Sequence, residues 1–472
     1  MWLKAFYEGA ILKSKRVTHT AKALVMLWNV GLFALVWCLF YNPRAFQTYY
    51  ILGGILSTII YLFIYNGLCN LYNAFRIASS SITEMVLSQA ISFGIADLIL
   101  YVEGILIRNK YTSVLPGLTT FIVQVIGTAL IITFSKRYFM ECVEPAKTLL
   151  IIGDWVTMDE AERFKGRILR KYSHLFDFKY VEYETIKLAS FEEKLSECCT
   201  VIMYGLSVEA RRQYMQRCID AHKTFYFTPR IEDIMLQGCS TRHLLDTPLM
   251  KYDYVYEDRK KINAKRIFDI CFGVLFTIFF LPVMLIIAAA IKIEDGGPIF
   301  FRQKRCTQDG EVFEILKFRS MIVNAEKRGV QPTINCDPRI TKVGRVIRKY
   351  RLDELPQVFN ILSGEMSFVG PRPERVEHVE IYTKELPEFK YRMKVKAGLT
   401  GYAQIFGKYN SSAFDKLRLD MLYIENQSLS LDIRIIMLTV KVMFQGESTE
   451  GFEKEMVHLM NRKSRQRQRK VG

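Results

Sequence analysis

Apolar and polar positions divide the chain into stretches of different pattern. Four long apolar runs come first, at residues 23–41, 49–71, 82–107 and 114–134, each close to the ~20 residues a helix needs to cross a bilayer. The third carries Glu84, Asp97 and Glu103, so a helix packed on the other three is the alternative to a span there. From Lys147 to about Tyr252 the pattern alternates. Residues 148–152, 176–184, 199–204 and 224–227 read as strands, and residues 160–172 and 208–222 as helices. This predicts an open, mostly parallel sheet covered by helices. A fifth apolar run, residues 270–293, has Pro282 near its middle. Beyond it, residues 299–305 and 312–318 flank Gln308-Asp309-Gly310 and predict a β-hairpin. Val343, Val346 and Ile347 then recur at helical spacing among Lys342, Arg345, Arg348 and Lys349, which predicts a basic amphipathic helix suited to a headgroup layer or to an ordinary surface.

Charge gives these runs a direction. Lys4, Lys13, Lys15, Arg16 and Lys22 precede the first run, and Lys136, Arg137 and Lys147 follow the fourth, while the intervening external loops hold only Arg44, then Arg108 and Lys110. Both ends of a four-helix bundle spanning residues 1–140 should therefore face the cytoplasm. The first run is too long and bulky for a signal peptide and reads as a retained anchor. The fifth run has Lys260, Lys261, Lys265 and Arg266 before it and Lys292, Arg302, Lys304 and Arg305 after it. A crossing helix would put one basic cluster outside. A re-entrant helix–break–helix over residues 267–293, broken at Pro282, keeps both inside, and a plain kinked span is the alternative.

The 472 residues allow two or three domains, and a net charge of +17 admits nucleic acid, an anionic leaflet or a phosphorylated substrate as partner. No DNA- or RNA-binding motif is visible, and 50% hydrophobic residues with a mean hydropathy of +0.09 favour the last two. The ten cysteines contain no C-x-x-C pair and the six histidines no paired metal spacing, in keeping with a reducing compartment. Residues 462–470 are strongly basic and read as a segment touching the anionic leaflet.

Three places carry candidate chemistry. Gly153-Asp154-Trp155 stands where a dinucleotide fingerprint would sit, but has one glycine, and Trp155 would obstruct a pyrophosphate. Residues 147–258 therefore read as a degenerate Rossmann-like domain used for regulation or self-association, in a homodimer. Leu352-Asp353-Glu354-Leu355-Pro356-Gln357 places two carboxylates side by side. Taken alone, Asp353 reads as a helix N-cap, with Pro356 in the first turn and Gly364 as the stop. Adjacent residues on a helix project about 100° apart, which suits two jobs better than a shared proton: an attacking carboxylate and a ligand for Mg²⁺. Gly370-Pro371-Arg372-Pro373 fixes one arginine between two prolines. Arg348, Arg351 and Arg372 suit a transferring phosphate, whereas Lys317 and Arg319, taken alone, read as a solvated hairpin edge.

Taken together these residues resemble the bacterial sugar transferase family, the monotopic polyprenyl-phosphate hexose-1-phosphate transferases. The matching elements are Lys265-Arg266-Ile267-Phe268-Asp269, Gly297-Pro298-Ile299-Phe300-Phe301 with Gln303, Lys317-Phe318-Arg319-Ser320-Met321, the segment from Leu352 to Gln357, Asn360-Ile361-Leu362, Gly364-Glu365-Met366-Ser367, Val369 to Pro373, and Lys396-Ala397-Gly398-Leu399-Thr400-Gly401. The four-span bundle with its α/β domain looks like the family's long form. The resemblance implies a mostly helical catalytic domain over residues 260–472 in the bacterial cytoplasmic membrane. It also implies transfer of a sugar 1-phosphate from a UDP-sugar to polyprenyl phosphate with release of UMP, at the start of exopolysaccharide, capsule or O-antigen synthesis. By motif position Asp353 would be the nucleophile, Glu354 its Mg²⁺-associated partner, and Lys317, Arg319, Arg348, Arg351 and Arg372 phosphate contacts. Small family members carry a polar residue before the helix-breaking proline; Leu281 stands there in this chain, so the break rests on Pro282 alone. The competing readings are a Mg²⁺-dependent lipid phosphatase or pyrophosphatase, and a non-enzymatic scaffold for polysaccharide assembly.

Overall fold

Long apolar sequence takes helical form because only a helix bonds its backbone groups within the segment. The computed structural model describes residues 2–41, 51–109, 111–154, 156–252, 259–323, 325, 337–407 and 412–443. Arg44, Lys110, Trp155 and residues 462–470 lie outside them. The chain forms two compact units, Met1–Thr228 and Pro229–Gly472.

The first unit opens with α1 (Trp2–Val36, continued by a π-helical turn Trp37–Tyr41), α2 (Ile51–Leu71), α3 (Ile82–Arg108) and α4 (Leu115–Cys142). With one helix of the second unit, these make five among the described residues that are long and apolar enough to cross a membrane, which marks a membrane protein. Glu84 belongs to the start of α3: it and Ser81 form a reciprocal capping box. The bundle interior is aromatic, with Phe33, Trp37, Tyr61, Tyr65 and Phe93 buried. A polar chain runs through it, in which Asn29 Nδ2 donates to Tyr65 OH and Thr128 Oγ1 at 3.0 Å each, and Tyr65 OH to Gln89 Oε1. Such bonds fix the register of helices whose apolar surfaces alone would slide.

An α/β region follows: β1 (Ala146–Ile152), α5 (Met158–Tyr172), β2 (Phe176–Tyr183), α6 (Leu188–Glu197), β3 (Thr200–Tyr204), α7 (Val208–Asp220) and β4 (Thr224–Phe227). All four strands are parallel, in the order β2-β1-β3-β4. β1 is central and apolar from Leu149 to Ile152, whereas β2 alternates. The sequence pattern misses α6, whose buried stripe is only Phe191 and Leu195.

The second unit contains α8 (Ile231–Met235), the antiparallel pair β5 (Ser240–Leu244) and β6 (Thr247–Lys251), and the long helix α9 (Arg259–Asp295). Then come the antiparallel strands β7 (Phe300–Cys306) and β8 (Val312–Phe318), α10 (Lys342–Lys349), α11 (Gln357–Ser363), β9 (Ser367–Val369) and α12 (Val376–Glu385). It closes with β10 (Gly398–Thr400), α13 (Tyr402–Phe406), α14 (Ala413–Glu425) and α15 (Leu429–Met443). α8 belongs here, and not with the sheet that precedes it, because Ile231 and Ile234 pack with Phe389, Leu417 and Met421.

α9 corrects one expectation. Pro282 does not separate two helices; helical structure continues through it from Arg259 to Asp295. The missing N–H deprives the carbonyl of Ile278 of its helix partner, and that loss is confined to one turn. α9 lies along the domain for its whole length. Phe272 and Phe276 join the core around Val358, Ile361 and Phe368, while Met284, Ile287 and Ile291 pack on Phe318, Ile347 and Leu355. Ile267, Leu275, Ile278, Phe279, Leu285 and Ile286 on the other side are exposed. Both ends are bonded to the same domain. Lys265 Nζ lies 2.6 Å from Asp432 Oδ2, and Arg266 donates to the carbonyls of Ile361 and Leu362, at 2.6 and 2.8 Å. Glu294 accepts from the Lys342 amide at 2.7 Å, and Asp295 pairs with Arg319.

Candidate active site

The site is assembled from β8, the turn between α10 and α11, and the loop after β9. On β8 the buried residues Phe313 and Ile315 alternate, and Lys317 continues the same inward face. Its ammonium is therefore not on a solvated edge but 2.7 Å from Glu354 Oε1. α10 starts at Thr341, whose hydroxyl accepts from Gly344 N at 2.9 Å, and ends at Tyr350. Arg351 then takes a left-handed φ of 53°, uncommon for a side chain of its size, and turns the chain into a 3₁₀ turn, Leu352–Glu354. Leu352 and Leu355 pack into the cluster formed with α9, so the two carboxylates between them are held against the apolar helix.

Asp353 is not the N-cap of α11. Pro356 occupies that position and no side chain caps it. Because Pro356 has no N–H, the winding from Leu352 proceeds by shorter bonds, Leu355 N to Leu352 O and Val358 N to Leu355 O, before α-helical bonding begins. The Asp353 carboxylate is thereby left available: among the described residues no side chain donates to it.

The two neighbours are driven apart in acidity. Burial, and next the charge of Glu354, raise Asp353 from 3.8 to about 6, against Lys317 and Arg348. Burial also opposes the charge on Glu354, but Arg372 and then Lys317 outweigh it and hold that carboxyl well below the usual carboxylate range. Arg372 Nη2 lies 2.9 Å from the same Oε1 that Lys317 reaches. Burial lowers Lys317 and Arg351 below their ordinary values, with Glu354 opposing in both cases. Asp353, Glu354, Lys317, Arg348, Arg351 and Arg372 thus form one electrostatic group. Paired carboxylates whose environments push them in opposite directions mark a division of roles.

Arg319 is not in this group. It is buried, pairs with Asp295 at the end of α9, and lies so close to Gly297 that a Cβ there would sit 2.5 Å from Nη1. It closes the turn between α9 and β7. Two residues that the motifs do not flag support the loop carrying Arg372. Arg305 Nη1 donates to the carbonyl of Pro373 at 3.1 Å, and Arg392 Nη2 to that of Arg372 at 2.9 Å. Arg305 reads in the sequence as one of a basic run, and nothing local distinguishes Arg392.

A family model described as bacterial sugar transferase matches residues 260–446, the span that holds all of these groups. A UDP-glucose:undecaprenyl-phosphate glucose-1-phosphate transferase of Caulobacter vibrioides is 39% identical over 181 residues, 37% of this chain and 68% of that protein. The chain belongs to the bacterial sugar transferase family. A UDP-N-acetylgalactosamine-undecaprenyl-phosphate N-acetylgalactosaminephosphotransferase of Aeromonas hydrophila is 38% identical over 245 residues, 50% of this chain and 55% of that protein. A UDP-glucose:undecaprenyl-phosphate glucose-1-phosphate transferase of Klebsiella pneumoniae is 41% identical over 225 residues, 46% of each. The chain therefore spans about half the length of these two relatives.

Among the described residues of the α/β region, the turn where its fold would bind a ligand is closely packed. The order β2-β1-β3-β4 reverses between β1 and β3, where doubly wound sheets bind ligands. There a Cβ on Gly153 would sit 1.9 Å from the carbonyl oxygen of Gly205. Glu184 accepts from Ser207 N at 3.2 Å with each carboxylate oxygen, and from Asp154 N at 3.4 Å. Two of the described amides at this turn thus bond an internal carboxylate.

Proposed function

We propose that this sugar transferase moves a sugar 1-phosphate from a UDP-sugar to undecaprenyl phosphate and releases UMP. The observation that carries the reading is the carboxylate of Asp353, to which no described side chain donates, beside a Glu354 held charged by Lys317 and Arg372. In the first displacement an Asp353 oxygen attacks the β-phosphorus of the UDP-sugar. The bond from that phosphorus to the bridging oxygen breaks, and its electron pair leaves on UMP. In the second, an oxygen of the lipid phosphate attacks the same phosphorus, the acyl-phosphate bond breaks, and the Asp353 carboxylate is restored. Arg372 and Lys317 offset charge that builds on the transferring phosphoryl oxygens, and Arg348 and Arg351 add to the positive field.

Among the described residues no group of three or more His, Cys, Asp or Glu side chains could hold a metal. Glu354 and Asp353 fit the way Mg²⁺ is bound through one or two carboxylates plus substrate phosphates. They would hold it, and Mg²⁺ bound there would neutralise the diphosphate.

The attachment of both ends of α9 to one charged domain supports keeping its two basic flanks on one face of the membrane. A straight helix from Asp269 to Glu294 would extend about 37 Å, more than the ~30 Å hydrocarbon core, and would carry one set of polar bonds to the far side. The basic flanks support a cytoplasmic position for that face. With Glu184 bonded to the amides of Asp154 and Ser207, the α/β region fits regulation or self-association better than phosphate binding.

The test offers UDP-glucose, UDP-galactose and their N-acetylated forms with undecaprenyl phosphate and Mg²⁺, and measures UMP. Release with one of the panel is expected. Release of inorganic phosphate without a UDP-sugar would replace this reading with a lipid phosphatase.

A further inference from the structure

The guanidinium of Arg372 is half-exposed and, among the described residues, bonds only Glu354. A side chain so lightly held takes its position from its backbone. That backbone is tied at four successive carbonyls. Pro371 O accepts from Gly398 N at 2.9 Å, Arg372 O from Arg392 Nη2 at 2.9 Å, Pro373 O from Arg305 Nη1 at 3.1 Å, and Glu374 O from Cys306 N at 3.1 Å. The outer two bonds are main-chain contacts. The inner two come from side chains that bring positive charge into a crowded interior, beside Arg372 itself.

Arg392 is the more committed of these. It is 5% exposed, and the same Nη2 that holds the Arg372 carbonyl lies 2.9 Å from Asp420 Oδ2 on α14, itself 1% exposed. Its Nη1 lies 3.6 Å from Glu374 Oε1, and its guanidinium stacks over the Phe389 ring at 4.9 Å. A buried ion pair of this kind adds little to stability over an apolar pair of similar size. It does provide a donor held in direction: the planar fork bonds the Arg372 carbonyl and is ion-paired with Asp420 and Glu374 around it.

We propose that Arg392, with Asp420 as its buried counter-charge, is a positioning residue that sets Arg372 on Glu354 and so aims its guanidinium at the transferring phosphate. This rests on the transferase reading. Arg392 touches no reacting group and acts only through the Arg372 backbone. Displacing a charge-neutralising group by about 1 Å lowers turnover by up to about 100-fold.

The test uses the full chain in detergent or nanodiscs. Arg392→Lys keeps a charge for Asp420 but lacks the fork, and Arg392→Met/Asp420→Leu removes both charges should the lysine variant not fold. Each is made alone and with Arg372→Met. Expected in the wild-type background is a fall in kcat of about 10- to 100-fold, with KM for the UDP-sugar within about threefold and a smaller loss for lysine than for the double apolar variant. In the Arg372→Met background the same changes should cost less than about twofold, because their route to the phosphate is already gone. Equal losses in both backgrounds, or wild-type kcat in a folded variant, would overturn the proposal. Hydrogen exchange of peptides covering Gly370 to Arg375 is followed in parallel and should quicken there without a general rise. Unchanged exchange at that loop sinks the proposal whatever the activity. A wild-type protein that releases no UMP, with a quickened loop in the variants, sinks the transferase reading and leaves the positioning role standing.

Discussion

Replacing Asp353 by asparagine separates chemistry from stability, because the structure predicts opposite effects on the two. In the folded protein burial and Glu354 raise the Asp353 carboxyl from 3.8 to about 6. A carboxyl raised in this way weakens the fold wherever it is ionised. The penalty is absent below pH 3.8, grows as pH rises through the window from 3.8 to 6, and is constant above it. Its size above pH 7 is about 3 kcal/mol, and at pH 5 about half of that. Asparagine keeps the shape and discards the charge. The variant should therefore unfold at an equal or higher temperature than the wild type at pH 8, and the difference should narrow at pH 5. UMP release by the same preparation should fall to background. The two measurements are thermal unfolding of purified protein at both pH values and a UMP-release assay with the preferred UDP-sugar. A variant that loses stability at pH 8 would show that the carboxylate is a structural acceptor, although no described side chain donates to it. Surviving UMP release would refute attack by Asp353.

The same acidity sets the pH profile of the wild type. kcat/KM should rise with pH through about 6 as Asp353 ionises, measured in buffers of constant ionic strength. Glu354→Gln removes the neighbouring negative charge and should move that limb to lower pH in whatever activity remains. It also leaves Lys317 buried without its counter-ion, at a cost of about 3 kcal/mol read by denaturant or thermal unfolding. Gly370→Ala should impair both fold and turnover, because a Cβ there would sit 2.3 Å from the carbonyl oxygen of Lys396, which is backbone and cannot swing aside.

Much of the site is legible along the chain, and the rest is not, for identifiable reasons. The pairing of Asp353 with Glu354, the stiff loop around Arg372 and the apolar helix before them are contiguous patterns. Which carboxylate is free could not be read there. It is decided by Lys317 and Arg372, 37 and 18 residues away from Glu354, converging on one of its oxygens. Lys317 and Arg319 look alike in sequence, two residues apart on one motif. Strand alternation puts both on one face, so it could not tell them apart; β8 ends at Phe318, and Arg319, just beyond it, turns to Asp295 while Lys317 follows Phe313 and Ile315 inward. The N-cap expected at Asp353 failed because Pro356 delays α-helical bonding by a turn. Pro282 failed as a helix break because a long apolar helix absorbs one lost hydrogen bond.

The sequence by itself determined the long apolar helices, the strands β1 to β4 and the pair β7 and β8, and where apolar surface must be covered. These follow from the period of side chains along a backbone, and period is local. The tertiary structure alone decided the acidity of Asp353, the burial of Lys317, the bonding of Glu184 to the amides of Asp154 and Ser207, and the service of Arg305 and Arg392 to a loop far from them in the chain. Each of these depends on charges and donors brought together across space, where burial strengthens every interaction and leaves no water to stand in for a missing partner.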